Sequence, residues 1–232
     1  MSEDLLYQIA ITQIPGVGDK TAKVLVAHCG SAKAVFDEKK AALEKVPGIG
    51  PKGVQNIINQ SVLSRAEEEL SFIEKKDIQP LFYLNSNYPR RLKLCEDGPV
   101  MLYFKGNVDI NKRHVISMVG TRNATGYGLE FCEKFISDLK VFNPLVVSGL
   151  AYGIDVQCHK QSLQNGIPTI AVLGHGLDRI YPQLHARVAD EMLENGGLLT
   201  EFLSGTNPDR ENFPKRNRIV AGMSDAVIVV EA

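Results

Sequence analysis

The spacing of hydrophobic and polar positions divides the chain into two parts. Residues 3–76 have the apolar periodicity of helices. From residue 114 onward, short apolar runs alternate with longer amphipathic stretches, which predicts alternating strands and helices. This alternation is typical of a doubly wound α/β fold, in which most strands of the sheet are parallel. The sequence therefore predicts an α/β domain that is preceded by a small, all-helical domain.

The predicted domains cover residues 1–77 and 78–232. Strands of the second domain are predicted at residues 78–84, 100–104, 114–119, 144–148, 168–173, 198–201 and 226–230. Helices between them are predicted at residues 127–140, 154–165 and 213–224, with another ending near residue 195. Because the sequence stops directly after an apolar strand that we expect in the core, we also expect a fragment of a longer protein.

The helical part contains an internal repeat. Residues 14–20 (IPGVGDK) recur 32 residues later as residues 46–52 (VPGIGPK), and helical segments follow at residues 21–29 and 53–76. Proline ends the first helix of each pair and the glycines permit a tight turn, a pattern typical of a helix-hairpin-helix. Free amides at the second helix, aided by lysines, can hold a DNA phosphate. These lysines are Lys20, Lys23 and Lys52. The alternative is that the turns only pack against a neighbouring part of the molecule.

Composition limits the function classes without selecting one. With 44% hydrophobic and 23% charged residues among 232, the chain has an ordinary globular composition. Its formal net charge of -1 gives no overall basic surface, so any nucleic-acid contact must be local. The four cysteines form no CxxC motif, which predicts reduced thiols in the cytoplasm. No apolar run approaches the roughly 20 residues of a membrane span, so we expect no membrane partner.

Two successive predicted strands end in small or polar residues. Their candidate ligand-contacting residues are Gly120, Thr121, Arg122, Ser148 and Gly149. Because the carboxyl ends of parallel strands meet at one edge of a sheet, these residues are expected to face one crevice. Small residues let a ligand approach the backbone, and the amides that begin the next helix can hold an anion. The sequence therefore predicts an anion-binding crevice.

Several ligand classes do not fit this crevice. The glycine-rich residues 120–128 lack the GxGxxG spacing, and strand 144–148 has no carboxylate at its end for a ribose hydroxyl, which argues against a redox dinucleotide. The absence of a Walker A motif argues against an ATPase. We interpret Asp155 as a helix cap and His159 as a packed or hydrogen-bonding residue rather than as a metal pair. The sequence thus predicts neither a cofactor nor a metal.

Residues 209–218 (DRENFPKRNR) concentrate positive charge around an aromatic residue. Four cations, Arg210, Lys215, Arg216 and Arg218, lie within nine residues, with Phe213 among them. Arginine beside an aromatic ring suits a single strand of nucleic acid, because the charge attracts phosphate and the ring stacks on a base. The alternative is that Phe213 belongs to the core and the arginines form a solvated or ion-paired face.

Four segments in this order resemble the DNA-processing protein A family, also called DprA or Smf, and the resemblance covers the whole chain. The segments are residues 120–122 (GTR), 148–155 (SGLAYGID) with His159, 171–182 (AVLGHGLDRIYP) and 213–224 (FPKRNRIVAGMS). The resemblance implies a SAM-like helical domain followed by an extended Rossmann-like fold that binds single-stranded DNA. It also implies a non-catalytic protein, generally a homodimer, that protects incoming DNA during natural transformation and loads a RecA-type recombinase.

Site residues are carried over by position. Arg122 would hold phosphate in the central pocket, lined by Gly120, Thr121, Ser148 and Gly149. The residues expected to meet the strand or add positive potential are Arg210, Phe213, Lys215, Arg216, Asn217 and Arg218. The chain departs from the family at Tyr152, where many relatives have arginine or lysine. The family normally continues past the last strand, often into a winged-helix-like domain, and we expect the sequence to be truncated before that part.

Two other functions remain open at this point. One is a nucleotide N-glycosidase of the lysine-decarboxylase-like group. That group has a PGGxGT segment with a glutamate, which Gly196-Gly197 and Glu201 match only weakly. The other is a scaffold in which the crevice is vestigial and the helical part binds a protein.

Overall fold

A computed structural model describes residues 3–231 of the chain. We call residues 3–76 the helical module and residues 79–231 the α/β unit. The helices of the helical module are α1 (Glu3–Ile11), α2 (Asp19–Cys29), α3 (Ala32–Asp37), α4 (Lys40–Leu43), α5 (Pro51–Asn59) and α6 (Leu63–Lys76).

The α/β unit alternates strands and helices as the sequence predicts. Its strands are β1 (Gln79–Phe82), β2 (Met101–Gly106), β3 (Val115–Gly120), β4 (Leu145–Ser148), β5 (Thr169–Val172), β6 (Gly196–Thr200) and β7 (Ala226–Val230). Its α-helices are α7 (Gly126–Leu139), α8 (Ile154–Gln164), α9 (Ala186–Met192) and α10 (Asn212–Gly222). Short 3-10 helices lie at Leu92–Leu94, Lys140–Phe142 and Gln183–His185.

All seven strands form one sheet in the order β1-β2-β6-β5-β4-β3-β7. The five strands from β6 to β7 are parallel, whereas β1 and β2 join the β6 edge as an antiparallel pair. The predicted fold, a mostly parallel α/β sheet preceded by a helical module, is confirmed. The parallel strands therefore bring their carboxyl ends to one edge, where a ligand crevice is expected.

Burial differs between the middle and the edge of the sheet. Strands β4, β5 and β6 are buried along their whole length, as continuous apolar runs predict. Within residues 3–231, β7 lies at the edge of the sheet and pairs with β3, and Val227 and Val229 are 44% and 60% exposed. The expectation of a core strand therefore does not hold for the described residues.

The two predicted helix-hairpin-helix turns pack against each other. Asn56 of the second hairpin donates a hydrogen bond to the Pro15 carbonyl of the first at 3.1 Å. The single helix predicted for residues 53–76 is wrong, because the chain breaks between α5 and α6. Gln60 ends α5 with a left-handed φ of 52°. The break lets α6 turn back against α1, with which it packs.

The hydrophobic core of the helical module continues onto the sheet. Ile9 and Ile57 belong to the same buried cluster as Val100, Met101 and Tyr103. The helical module therefore packs on the α/β unit through apolar side chains as well as through the polar contacts described below. No helix in residues 3–231 is both long enough and apolar enough to cross a membrane.

Candidate nucleic-acid interface

A crevice opens at the carboxyl ends of β3, β4 and β5, beside the first turns of α10. Its lining residues come from all of these elements and from the loop that follows β5. They are Arg122, Leu150, Ala151, Tyr152, Val172, Leu173, Gly174, His175, Tyr181, Pro182, Phe213 and Arg216. The enclosed cavity is only about 40 Å³. Pockets that enclose a small molecule are about 300–1,000 Å³, so this crevice is too small to enclose one.

At the opening of the crevice, the exposed Arg122 lies beside the partly buried Phe213. The guanidinium carbon of Arg122 lies 5.5 Å from the centre of the Phe213 ring, within the range of a cation–π contact. Gly153 allows this arrangement, because its φ is 75° and a side chain there would lie 2.2 Å from the Thr121 carbonyl oxygen. The amide of Ile154 donates to that carbonyl, which ties the turn after β3 to the start of α8.

Arg216 forms the floor of the crevice. Its side chain is 5% exposed, donates a hydrogen bond to the Val172 carbonyl, and lies 3.9 Å from the Asp155 carboxylate. Burial raises the pKa of Asp155, although the charge of Arg216 opposes the change, and burial lowers the pKa of Arg216. The Nε of Arg216 has no hydrogen-bond partner within residues 3–231. The guanidinium thus keeps hydrogen-bonding capacity unused beneath the crevice.

Ser148 and Gly149 lie below the surface and support this floor. The Ser148 hydroxyl is fully buried and donates to the Met118 carbonyl at 2.6 Å, so it is already occupied. A side chain at Gly149 would lie 2.1 Å from the Arg216 guanidinium and 2.3 Å from the Asp155 carboxylate. Gly149 therefore leaves the space in which these two side chains meet.

The helix that follows β4 holds one neutral histidine. His159 is fully buried, with Nδ1 2.7 Å from the Thr169 hydroxyl and Nε2 against the Gly149 carbonyl. Burial lowers the pKa of His159 to about 4, so the ring is neutral at pH 7. The interpretation of His159 as a hydrogen-bonding core residue is confirmed. The interpretation of Asp155 as a helix cap is wrong: Gly153 holds the N-cap position, and Asp155 faces Arg216 instead.

The cations of α10 point in two directions. Residues 213 and 216 are three positions apart and share one helical face, whereas residue 218 lies on another. The structure therefore brings Phe213 and Arg216 to Arg122 but does not bring Arg218 into the crevice. Arg210 and Asn217 are exposed, whereas Lys215 lines the cavity that also holds Glu201 and Arg218, and lies 3.6 Å from Glu211. Gly120 and Thr121 are partly exposed behind Arg122.

The first hairpin of the helical module is engaged within the molecule. One carboxylate oxygen of Asp19 accepts from the Val100 amide at 2.8 Å, and the other accepts from Arg218 at 3.3 Å. Lys23 donates to the Gly98 carbonyl at 2.6 Å. Of the two interpretations of the repeat, these contacts favour intramolecular packing for the first hairpin.

Glu201 lies in the cleft between this hairpin and α10, away from Arg122. It accepts a hydrogen bond from Arg218, which it shares with Asp19. Burial raises the pKa of Glu201 to about 7, and the nearby Asp19 charge adds to this effect while Arg218 opposes it. A glutamate in this position is separated from the crevice that an N-glycosidase would use.

Aromatic residues of the crevice were only partly anticipated. Tyr181 is 47% exposed, and its ring centre lies 6.1 Å from that of Phe213. Tyr152 is similarly exposed and packs edge-on against His185. Tyr181 was missed as a site residue, although its position after β5, the third successive strand at this edge, is a signal that identifies it. Across the described residues, no group of three His, Cys, Asp or Glu side chains is arranged to hold a metal ion.

Comparisons with known proteins agree on the family. The family described as DNA recombination-mediator protein A matches residues 79–232, and the SAM-like helix-hairpin-helix tandem matches residues 9–61. Protein Smf of Synechocystis is 36% identical over 97% of this chain and 58% of its own length. DNA processing protein DprA of Streptococcus pneumoniae is 44% identical over 64% of this chain and 52% of its own length. The chain thus spans about half the length of these curated relatives.

Solved structures support the same assignment. The X-ray structure of DNA processing protein A from Streptococcus pneumoniae superimposes with a TM-score of 0.78 at 31% identity, covering 98% of this chain and 78% of that one. DNA processing protein A from Helicobacter pylori, solved to describe its single-stranded DNA binding mode, gives a TM-score of 0.59 at 29% identity, covering 66% and 68% of the two chains. The chain therefore belongs to the DNA recombination-mediator protein A family, whose members include the DprA and Smf proteins.

Proposed function

We propose that the chain binds single-stranded DNA in the crevice between Arg122 and α10, as a non-catalytic recombination mediator. The single observation that carries this proposal is the exposed Arg122 guanidinium against the Phe213 ring. A cation beside a flat ring serves a phosphate and a base at once, and each stacked base contributes about 1–3 kcal/mol. The similarity to the Helicobacter pylori protein, whose structure was solved for its single-stranded DNA binding mode, supports the same ligand.

In this proposal the site residues have three roles. Arg122 and Phe213 contact the strand directly, with Gly120 and Thr121 shaping the turn. Buried residues, Ser148, Gly149 and Arg216, form the floor, where Arg216 adds positive potential from below. Exposed residues around the N-terminal half of α10 extend the path of the strand. These are Arg210, Lys215 and Asn217.

The biological role follows from family membership and is also proposed. The protein would act in the cytoplasm on DNA taken up during natural transformation, protect it, and load a RecA-type recombinase, with a homodimer as the working form. Residues 1–77 and 78–232 would act as its two domains. An N-glycosidase is not favoured, because Glu201 is paired with Arg218 in the separate cleft and the crevice encloses only about 40 Å³.

The test is fluorescence anisotropy of a labelled oligothymidine at two salt concentrations, with duplex DNA and mononucleotides as competitors. We expect single-strand binding that duplex competes poorly, with log affinity falling by about 0.7 per phosphate contact for each unit of log salt. Salt-independent binding would contradict the proposal. Assaying the mononucleotides for base release in the same samples distinguishes the enzyme, which would instead consume them.

A further inference from the structure

The loop between β6 and α10, residues 201–211, leads directly into Phe213 and is held by the helical module. Ser204 is the main contact: its amide donates to the Glu69 carboxylate of α6 at 3.0 Å, and its hydroxyl donates to the same carboxylate. Arg65 of α6 donates to the Ser204 carbonyl and hydroxyl. Glu69 and Arg65 are themselves an ion pair at 2.9 Å.

The contact between Glu69 and Ser204 is a buried, specific interaction. Glu69 is 2% exposed, and a buried carboxylate requires partners that compensate for its lost hydration. All of the partners observed for it are donors from Ser204 and Arg65. Leu203, which directly precedes Ser204, packs against the apolar core of the helical module. The loop is therefore fixed by one apolar and several charged contacts at adjacent positions.

The same loop is fixed from its other side by the loop that lines the crevice. The Gly205 amide donates to Asp178 at 2.9 Å, and Arg179 donates to the Asn207 side chain at 2.7 Å. Asn212, at the start of α10, donates to the Asn207 carbonyl at 3.2 Å. An unbroken series of contacts thus runs from α6 of the helical module to the residue before Phe213.

The far end of the segment is held as well. Arg218 of α10 is bound by Asp19 of the helical module, five residues after Phe213. The helical module therefore holds the segment that carries Phe213 on both sides, at Ser204 and at Arg218. It does so with residues that do not line the crevice.

We propose that Glu69 and Arg65 are positioning residues for single-strand binding, and that the helical module acts as a clamp that presents Phe213 to the strand. This inference rests on the proposed function and adds a role for the helical module that requires no contact between that module and DNA. A clamp orders the loop before DNA binds, so less conformational entropy is lost on binding. Removal of the clamp therefore weakens affinity without removing a phosphate contact.

The test compares Glu69→Gln with Glu67→Gln, a matched control on the exposed face of the same helix. Glutamine at position 69 replaces one accepting oxygen with an NH₂ group, which cannot accept the hydrogen bonds that Ser204 and Arg65 donate. We expect faster hydrogen exchange in residues 202–210 and an affinity for oligothymidine about fivefold weaker, with the salt slope unchanged. Glu67→Gln should match the wild type. Glu69→Asp, which keeps the carboxylate, should recover part of the affinity.

The outcomes separate the two proposals. Unchanged exchange in residues 202–210, or equal affinities for the Glu69→Gln and Glu67→Gln variants, would overturn the clamp. If the wild type binds no oligonucleotide, the proposed function fails, and the positioning role fails with it. If Glu69→Gln does not fold, Arg65→Gln at the half-exposed partner is measured in the same way, with the same results expected and the same results contradicting the clamp.

Discussion

Helix α10 separates two cavities that differ in size and in how their charges are paired. The crevice beside Arg122 encloses about 40 Å³, whereas the cleft beside Arg218 encloses about 350 Å³. In the larger cleft, Arg218 is bound by both Glu201 and Asp19. In the smaller crevice, Arg122 is exposed over an aromatic ring, and the buried Arg216 lies 3.9 Å from the Asp155 carboxylate.

The proposed binding site is therefore the smaller of the two cavities, and it is distinguished by its charges rather than by its volume. Charges that are already neutralised by partners in the same chain contribute little attraction to an incoming anion. The charges of the larger cleft join the helical module to the α/β unit, whereas the smaller crevice leaves the Arg122 guanidinium exposed. Four predictions test this contrast.

The largest effect is expected from breaking the buried pair. Arg216→Met leaves Asp155 buried without its cation, which costs about 3–5 kcal/mol in the free energy of unfolding. Urea denaturation measures the change. Adding Asp155→Asn should restore part of the stability, because the uncompensated charge is removed. Arg218→Met should cost only about 1 kcal/mol, since Arg218 is a quarter exposed; equal losses at both positions would abolish the distinction between the two pairs.

Removing the ring should have the next largest effect. Phe213→Ala is expected to weaken binding of oligothymidine by about 10- to 100-fold, the loss of one base-stacking contact. Anisotropy titrations at fixed salt measure it. Tyr127→Ala is the control, because Tyr127 is an aromatic residue that is 75% exposed on α7 and outside the crevice. An equal loss for both variants would show that Phe213 has no specific role.

A smaller effect on affinity and on its salt dependence distinguishes an arginine that contacts phosphate from one that is paired within the protein. Arg122→Gln should weaken binding about fivefold near 0.1 M salt and reduce the slope of log affinity against log salt by about 0.7. Arg218→Gln should leave that slope unchanged, because the Arg218 charge is already shared by two carboxylates. A reduced slope for Arg218→Gln would place DNA in the larger cleft.

The smallest effect concerns pH. The pKa of Glu201 rises from its ordinary value of 4.5 to about 7 in the folded protein. The folded state therefore binds more protons than the unfolded state in this interval, so this contribution to stability is present below pH 4.5 and is lost as pH rises through about 7. Glu201→Gln should flatten that part of the curve of melting temperature against pH. A curve identical to that of the wild type would assign the pH dependence to other groups.

The sequence predicts those features that depend on local pattern. Arg122 follows a buried strand, and Phe213 stands among cations, so both could be proposed before their distance was known. The helical periodicity of residues 213–218 also contains the reason that Phe213 and Arg216 share a face while Arg218 does not. What the pattern cannot supply is the partner of each charge, because Asp155 belongs to α8 and Glu201 to the loop after β6.

Errors in the prediction have the same origin. Sheet order is a tertiary property, so the apolar residues of β7 predict a core strand without revealing that β7 lies at an edge of the sheet in the described residues. The break after α5 occurs at Gln60, which adopts a left-handed φ without being glycine. The contact between Glu69 and Ser204 spans 135 residues, so no local pattern contains it.

These long separations also set an order of events during synthesis. Asp19 and Arg218 are 199 residues apart, so the helical module leaves the ribosome well before its docking surface exists. At about 5–20 residues per second, this interval is roughly 10–40 seconds. Residues 100–103, which the apolar face of the module covers, are made early in this interval, whereas Leu203, Ser204 and Arg218 are made at its end. Until then, the part of that face that packs against Leu203 lacks its partner. The newly made module is therefore the part of the chain that we expect a chaperone to recognise.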